Sequence, residues 1–192
     1  MNVKPSAQPD GTVLAGGDKD EQILARPECP TVPPSFQLKK ILVPLDFSAC
    51  SQKALEYAVP FARQFNASLT LLNVVLVAYP TGEFGTLEPL LPQGEVEEAG
   101  REQLQAFAAA HIGTQVPSAV LVRAGQPADE IVQAASDTGA DLIIISTHGH
   151  TGLKHVLLGS VAEHVVRRAP CPVLVVREHE HDFVTPSPGT SA

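Results

Sequence analysis

The chain has 192 residues, 44% of them hydrophobic and 18% charged, a balance that supports one well-buried core with some length left over. Its formal net charge is -8 and its isoelectric point is near 5.3, so its long-range field repels nucleic acid. An anionic ligand therefore has to be held locally, by main-chain N–H groups and a few basic side chains.

Cys29, Cys50 and Cys171 are the three cysteines; they are far apart, odd in number and form no CxxC, which argues against a disulfide framework, a structural zinc site or a dithiol redox pair. Residues 1–17 lack the apolar stretch of a signal peptide. The longest apolar run, Leu69 to Ala78, is interrupted by Thr70 and Asn73 and is too short to cross a bilayer. These features read as a cytoplasmic protein with reduced thiols, and with neither membrane nor nucleic acid as a partner.

Residues 1–37 are rich in Pro, Gly, Asp and Ala without a sustained period, and 178–192 read the same way, so both are expected to be flexible tails around a domain at 38–177. Within that domain, strands and helices alternate. Lys39 to Leu45 is a short apolar run of β type. A helix follows, capped by Ser48 or Ser51, with Ala54, Leu55, Ala58, Phe61, Ala62 and Phe65 on one stripe. Ser68 to Val75 is the second strand. Residues 79–95 hold Pro80, Gly82, Gly85, Pro89, Pro92 and Gly94, a loop long enough for a lid or a contact surface. Val96 to His111 is the second helix, with Leu104, Phe107 and Ala108 inward.

Ser118 to Arg123 is the third strand. Pro127 opens a third helix that Gly139 closes, with Ile131, Val132 and Ala135 facing the core. Asp141 to Ser146 is apolar enough to be covered on both faces. Ser160 to Arg168 is the last helix, its Arg167 and Arg168 suited to the negative C-terminus, and Pro170 stops it before the strand Pro172 to Val176. Such alternation implies a parallel α/β sheet with right-handed crossovers and helices on both faces. Ligands of such sheets bind beyond the carboxyl ends of the strands, where the strand order reverses. That directs attention to Pro44 to Ser48 and to Ser146 to Gly149.

The segment from Ser146 to Ser160 has the strongest chemical content. Gly149 and Gly152 permit tight turns and a close approach to a ligand. Gly159 and Ser160 lie where the last helix begins, so its N–H groups and positive dipole end face the loop, and a phosphate there needs no net positive charge on the protein. Ser160 either caps the helix or donates to a phosphate oxygen. Lys154 and, when protonated, His155 add local positive charge. A plain glycine loop before a capped helix would have the same composition. Asp46 likewise has a purely local use, capping the turn after the first strand. His148, His150, His155 and His164 invite a metal reading, but no cysteine or paired carboxylate stands at ligand spacing, and no metal site is assigned. No Walker A sequence occurs, and no nucleophile–base–acid trio assembles. Cys50 near a helix start reads as a buried, inert thiol.

Three stretches together resemble the universal stress protein family: Val43-Pro-Leu-Asp-Phe-Ser48, Gly125-Gln-Pro127, and the tail from Gly159-Ser-Val-Ala-Glu to Pro-Val-Leu-Val-Val176. The resemblance implies an α/β fold of the adenine nucleotide alpha hydrolase-like, Rossmann-like kind, a five-stranded parallel sheet of order 3-2-1-4-5 with helices on both faces. The ATP-binding branch of that family carries a glycine, two residues, a second glycine, nine residues, then glycine and a small hydroxyl residue. Here Gly149 is the second glycine, His150 to Leu158 are the nine, and Gly159 with Ser160 complete the pattern; Ser146 replaces the first glycine, and its Cβ is placed to crowd a ribose or phosphate.

Carried over residue by residue, the resemblance implies nucleotide contacts from Pro44, Asp46, Val74, Ser146, His148, Gly149, Gly159, Ser160 and Val161. Asp46 receives the adenine or ribose end, the Val74 backbone meets adenine, and a magnesium ion can ride on bound ATP. It also implies a homodimer joined through the last strand, Val173, Leu174, Val175 and Val176, and a stress-response regulator that is not an enzyme beyond slow ATP hydrolysis. The alternative is the family's other branch, a dimeric interaction module that binds no nucleotide, which Ser146 favours.

Overall fold

The computed structural model describes residues 37–76, 93–114, 116–149 and 158–177. The tails at 1–36 and 178–192 and most of the 79–95 loop lie outside the described residues, as do His150, Lys154 and His155. Five strands, β1 (Lys40–Pro44), β2 (Ser68–Val75), β3 (Ser118–Ala124), β4 (Leu142–Ser146) and β5 (Val173–Val176), form one sheet of order β3-β2-β1-β4-β5. Every pairing is parallel, with Ile41 opposite both Leu69 and Leu142 at the centre. Four helices connect the strands: α1 (Ala49–Phe65), α2 (Gln93–His111), α3 (Pro127–Thr138) and α4 (Ser160–Arg168).

The central strands are apolar at consecutive positions because both their faces are covered. Ile41, Val43, Leu69, Leu71 and Ile144 pack with Leu55, Ala58 and Leu104 beneath α1 and α2. Leu42, Leu72, Ile143 and Ile145 pack with Ile131, Ala135 and Val165 beneath α3 and α4. Alternate side chains along each strand thus feed two separate cores. Asp141 closes the lower end: its Oδ2 accepts the Lys39 and Lys40 N–H groups at 2.8 and 2.9 Å, tying the start of β1 to β4. On the opposite edge, Arg123 of β3 reaches α3, donating to Asp137 at 2.6 Å and lying 3.6 Å from Glu130. Hydrogen bonds from Arg123, and then from Gln133, hold the Asp137 carboxyl below its usual range.

The helix ends follow local chemistry. Ser48, rather than Ser51, caps α1, its Oγ accepting the Ser51 N–H at 3.2 Å. The C-cap of α1 is Asn66 at φ 53°, a left-handed position that asparagine tolerates. Pro60 lies inside α1, where an interior proline normally breaks a helix. Buried Tyr57, Ala58 and Ala62 on either side keep the helix against the sheet through that point. The expected stripe ends at Ala62, because Phe65 is exposed at the last turn. Helix α2 begins at Gln93, three residues before the expected Val96. Cys50 is half-buried rather than buried.

Two glycines in helical settings have opposite environments. Gly139 ends α3 at φ 61°, its N–H bonded to the Ala135 and Ser136 carbonyls. Gly100 is buried within α2, and a Cβ there would stand 3.4 Å from Val122 Cγ1 and 3.5 Å from Asn73 Oδ1 and Val75 Cγ1, all ordinary contacts. In urea denaturation, Gly139→Ala should therefore lower stability by about 1 kcal/mol, whereas Gly100→Ala should raise it by roughly 0.5–1 kcal/mol. A loss of stability at Gly100→Ala would contradict this account of α2.

Candidate functional site

The chain crosses from one face of the sheet to the other between β1 and β4: α1 and α2 cover one side, α3 and α4 the other. A cavity of about 420 Å³ opens at the carboxyl ends of these strands. All nine residues singled out in the sequence, Pro44, Asp46, Val74, Ser146, His148, Gly149, Gly159, Ser160 and Val161, line it. So do residues that the sequence did not mark as site residues, among them Leu76, Pro127, Ile131 and Thr147. Pro127 belongs to the Gly125-Gln-Pro127 stretch, and Ile131 read only as core; the turn and helix containing them form one wall. Leu76, 66% exposed just past the end of β2, is an apolar side chain at the cavity with too little cover to be core.

Asp46 leaves the tip of β1 and serves a local turn as well as the cavity. Its Oδ1 accepts the Ser48 N–H at 3.1 Å and the Ser48 Oγ–H at 2.6 Å. Its Oδ2 lies against Gly149, so close that a Cβ on residue 149 would collide with it. A side chain at residue 149 would thus need the Asp46 carboxylate to shift, while the backbone angle of Gly149 is not in the left-handed region.

The opposite end is built from main chain. Gly159, rather than Ser160, takes the N-cap position of α4, and it has no side chain with which to cap. The Ser160, Val161 and Ala162 N–H groups precede the first helical bond, from Glu163 N to the Gly159 carbonyl at 2.9 Å. They form the positive end of the helix dipole and border the cavity. Gly159 N–H donates to the Thr147 carbonyl at 2.8 Å, and a Cβ on Gly159 would stand 2.9 Å from that oxygen. Thr147 N–H in turn donates to the Val176 carbonyl at 2.9 Å.

Ser146, at the first-glycine position, is only 8% exposed, and its Oγ donates to the His148 carbonyl at 2.9 Å. Its side chain is therefore turned into the loop's own hydrogen bonding. The His148 ring sits 3.0 Å from Thr147 Oγ1 through Nδ1. His164 does not join the cavity lining; its Nε2 lies 3.0 Å from Asp129 Oδ1 of α3. Among the described residues, no three His, Cys, Asp or Glu side chains gather as metal ligands. Nor is any described helix long and apolar enough to cross a membrane. Burial, and then the Asp141 carboxylate, push the Cys171 thiol up, which keeps it protonated at neutral pH.

Comparison with known proteins adds the lineage. A family model, the Universal stress protein family, matches residues 37–177. The chain belongs to the universal stress protein family. Among its relatives, Universal stress protein MJ0531 of Methanocaldococcus jannaschii is 39% identical over 147 residues, covering 73% of this chain and 82% of that protein. The universal stress protein UspA structure from Lactobacillus plantarum is 29% identical with a TM-score of 0.60, over 74% of this chain and all of that one. A universal stress protein in complex with cAMP shares the fold, with a TM-score of 0.54 at 24% identity over 75% of this chain and all of that one.

The two close approaches give a direct check of the site geometry. Gly159→Ala should cost about 1–3 kcal/mol in urea denaturation, since the methyl group meets backbone that cannot rotate away. Gly149→Ala should also destabilise the protein, and much of that cost should vanish in an Asp46→Ala background, where the colliding carboxylate is gone. Equal costs in both backgrounds would show that Asp46 is not what Gly149 accommodates.

Proposed function

We propose that this universal stress protein binds an adenine nucleotide, ATP with its accompanying magnesium, in the cavity between Asp46 and the start of α4. It acts in the cytoplasm as a stress-response regulator whose partner contacts depend on that ligand. The observation carrying this reading is that an aspartate at the tip of β1 and the N-terminus of α4, whose N-cap Gly159 supplies no side chain, border one cavity. The lining matches the parts of a nucleotide. Leu72, Val74, Leu76, Pro127 and Ile131 offer an apolar wall for a flat base. Asp46 offers an acceptor for ribose or adenine, and the α4 N–H groups suit phosphate oxygens. Magnesium needs few protein ligands when it rides on phosphates. The role is binding, with at most slow hydrolysis.

A homodimer through Val173 to Val176 fits the same reading. Among the described residues strand β5 ends the sheet beside β4 alone, and Val173, Leu174 and Val175 are only partly buried. A second copy pairing there would close an apolar edge.

Mass spectrometry of the purified, denatured protein should release ATP or AMP. Added MgATP should raise the melting temperature, and Asp46→Asn should weaken binding about tenfold, the loss of one charged acceptor. A clean blank with no thermal shift by MgATP, AMP or cAMP overturns the proposal.

Ser146 favours the second reading, an interaction module without nucleotide, because its Cβ stands where the ATP-binding pattern has none. Its Oγ is nevertheless directed to His148, so Ser146→Gly should leave nucleotide affinity within about threefold while costing about 1 kcal/mol of stability from the lost hydrogen bond. Calorimetric binding that emerges only in Ser146→Gly would establish the second reading for the natural chain.

A further inference from the structure

Asp46 is flanked by two residues whose side chains serve the opposite side of the sheet. The first is Asn73, 8% exposed, on β2. Its neighbours Leu72 and Val74 point to the α3/α4 core, and Leu71 and Val75 to the α1/α2 core, so the alternation of the strand sends the Asn73 amide to the α1/α2 side. There its Nδ2 donates to the Leu45 carbonyl at 2.8 Å, while the Leu45 N–H donates to the Leu72 carbonyl at 2.8 Å. Both main-chain groups of the residue before Asp46 are thereby fastened to β2.

The second is Phe47, at φ 63°. The left-handed region is unfavourable for a bulky side chain, and such conformations persist where the surroundings impose them, often at functional sites. Here the imposing contact is an aromatic one. The Phe47 ring meets Phe107 of α2 edge-on, with centroids 5.7 Å apart and planes at 76°, and Phe107 stacks in turn on His111 at 4.1 Å. Phe47 is not part of the cavity lining, whereas Asn73 borders the cavity while its amide is bonded to Leu45. Its backbone angle sets the direction in which the chain turns between Asp46 and Ser48, and hence whether Ser48 N–H and Oγ meet the Asp46 carboxylate.

We propose that Asn73 and Phe47 are positioning residues for Asp46, fixing the chain on either side of its carboxylate from the α2 side of the sheet and so setting the strength of ligand binding. The affinity part rests on the nucleotide reading above; the positioning part does not. In this arrangement α2 is the anvil on which the cavity's acidic group is held: Phe107 bears on Phe47, and Gly100 packs over Asn73 Oδ1.

The test uses two readouts on the full chain, with Asn73→Ala and Phe107→Leu as variants and Phe47→Tyr as the conservative control. Phe107→Leu keeps an apolar side chain at a distant element and leaves residues 45–48 chemically untouched, and folding is checked by circular dichroism. The first readout needs no ligand: NMR hydrogen exchange of the Ser48 amide, which is bonded to Asp46 Oδ1. It should quicken about tenfold in Asn73→Ala and Phe107→Leu, but not in Phe47→Tyr, with the β1 amides of Ile41 and Val43 unchanged in all three. The second readout is the Kd for MgATP by calorimetry. It should rise about tenfold in the same two variants, and neither substitution should weaken binding further in an Asp46→Ala background. Unchanged Ser48 exchange in both variants overturns the proposal whether or not nucleotide binds, as does an equal loss of affinity in both backgrounds. Quickened exchange in a protein that binds no nucleotide would uphold the positioning and remove the nucleotide reading instead.

Discussion

The hydrogen bond from Gly159 N–H to the Thr147 carbonyl is the contact on which the rest of the site depends. It draws the start of α4 back against the end of β4, so near that residue 159 can carry no side chain. Because Thr147 is itself bonded to Val176, the same contact ties the helix start to two adjacent strands. The consequence is electrostatic as much as geometric. A glycine N-cap has no side chain for the first N–H groups of α4, and the residues that carry those groups border the cavity. One steric requirement therefore produces both the closeness of the walls and the positive character of one of them.

That is why part of the site could be read from the sequence and part could not. Ile143, Ile144 and Ile145 fill opposite cores from consecutive positions, and only a strand covered on both faces needs such a run. Gly139 and Pro127 mark the ends of α3 by backbone rules that hold in isolation. The pairing of Gly149 with Asp46 has no local signature, since the reason for the glycine is a carboxylate about a hundred residues earlier in the chain. Asp141, which holds the start of β1, and Leu76, which borders the cavity, are invisible for the same reason. Pro60 and the start of α2 at Gln93 show the reverse case. Local preferences argue against helix at Pro60 and, through Gly94, weaken it at the start of α2, and α1 continues through Pro60 because buried side chains on either side hold it to the sheet.

Asp46 illustrates how a local and a distant use of one residue coexist. The turn consumes Oδ1, through the Ser48 N–H and hydroxyl, and Oδ2 is the oxygen that lies against Gly149. The turn is thus part of how the carboxylate is held, since its bonds to Ser48 fix one of the two oxygens. Ser146 obeys the same logic on the facing strand: its hydroxyl bonds the His148 carbonyl and stiffens the turn leading to Gly149. A serine in place of a glycine adds bulk, but the bulk is directed along the loop.

The acidity of the chain makes this reliance on main chain intelligible. Arginines on the α3/α4 side are matched with acids: Arg123 with Asp137 and Glu130, Arg167 with Glu163, and Arg168 near Asp129. Arg167 and Arg168 stand at the far end of α4, roughly 12–14 Å of helix away from Gly159. Drawing them to the cavity would break ion pairs and oppose the helix dipole at both ends. Backbone N–H groups carry no counter-charge and need no rearrangement, and their effect is confined to the first turn of the helix. A protein of net charge -8 can in this way offer an anion-attracting helix end with no Arg or Lys among the described residues that line the cavity.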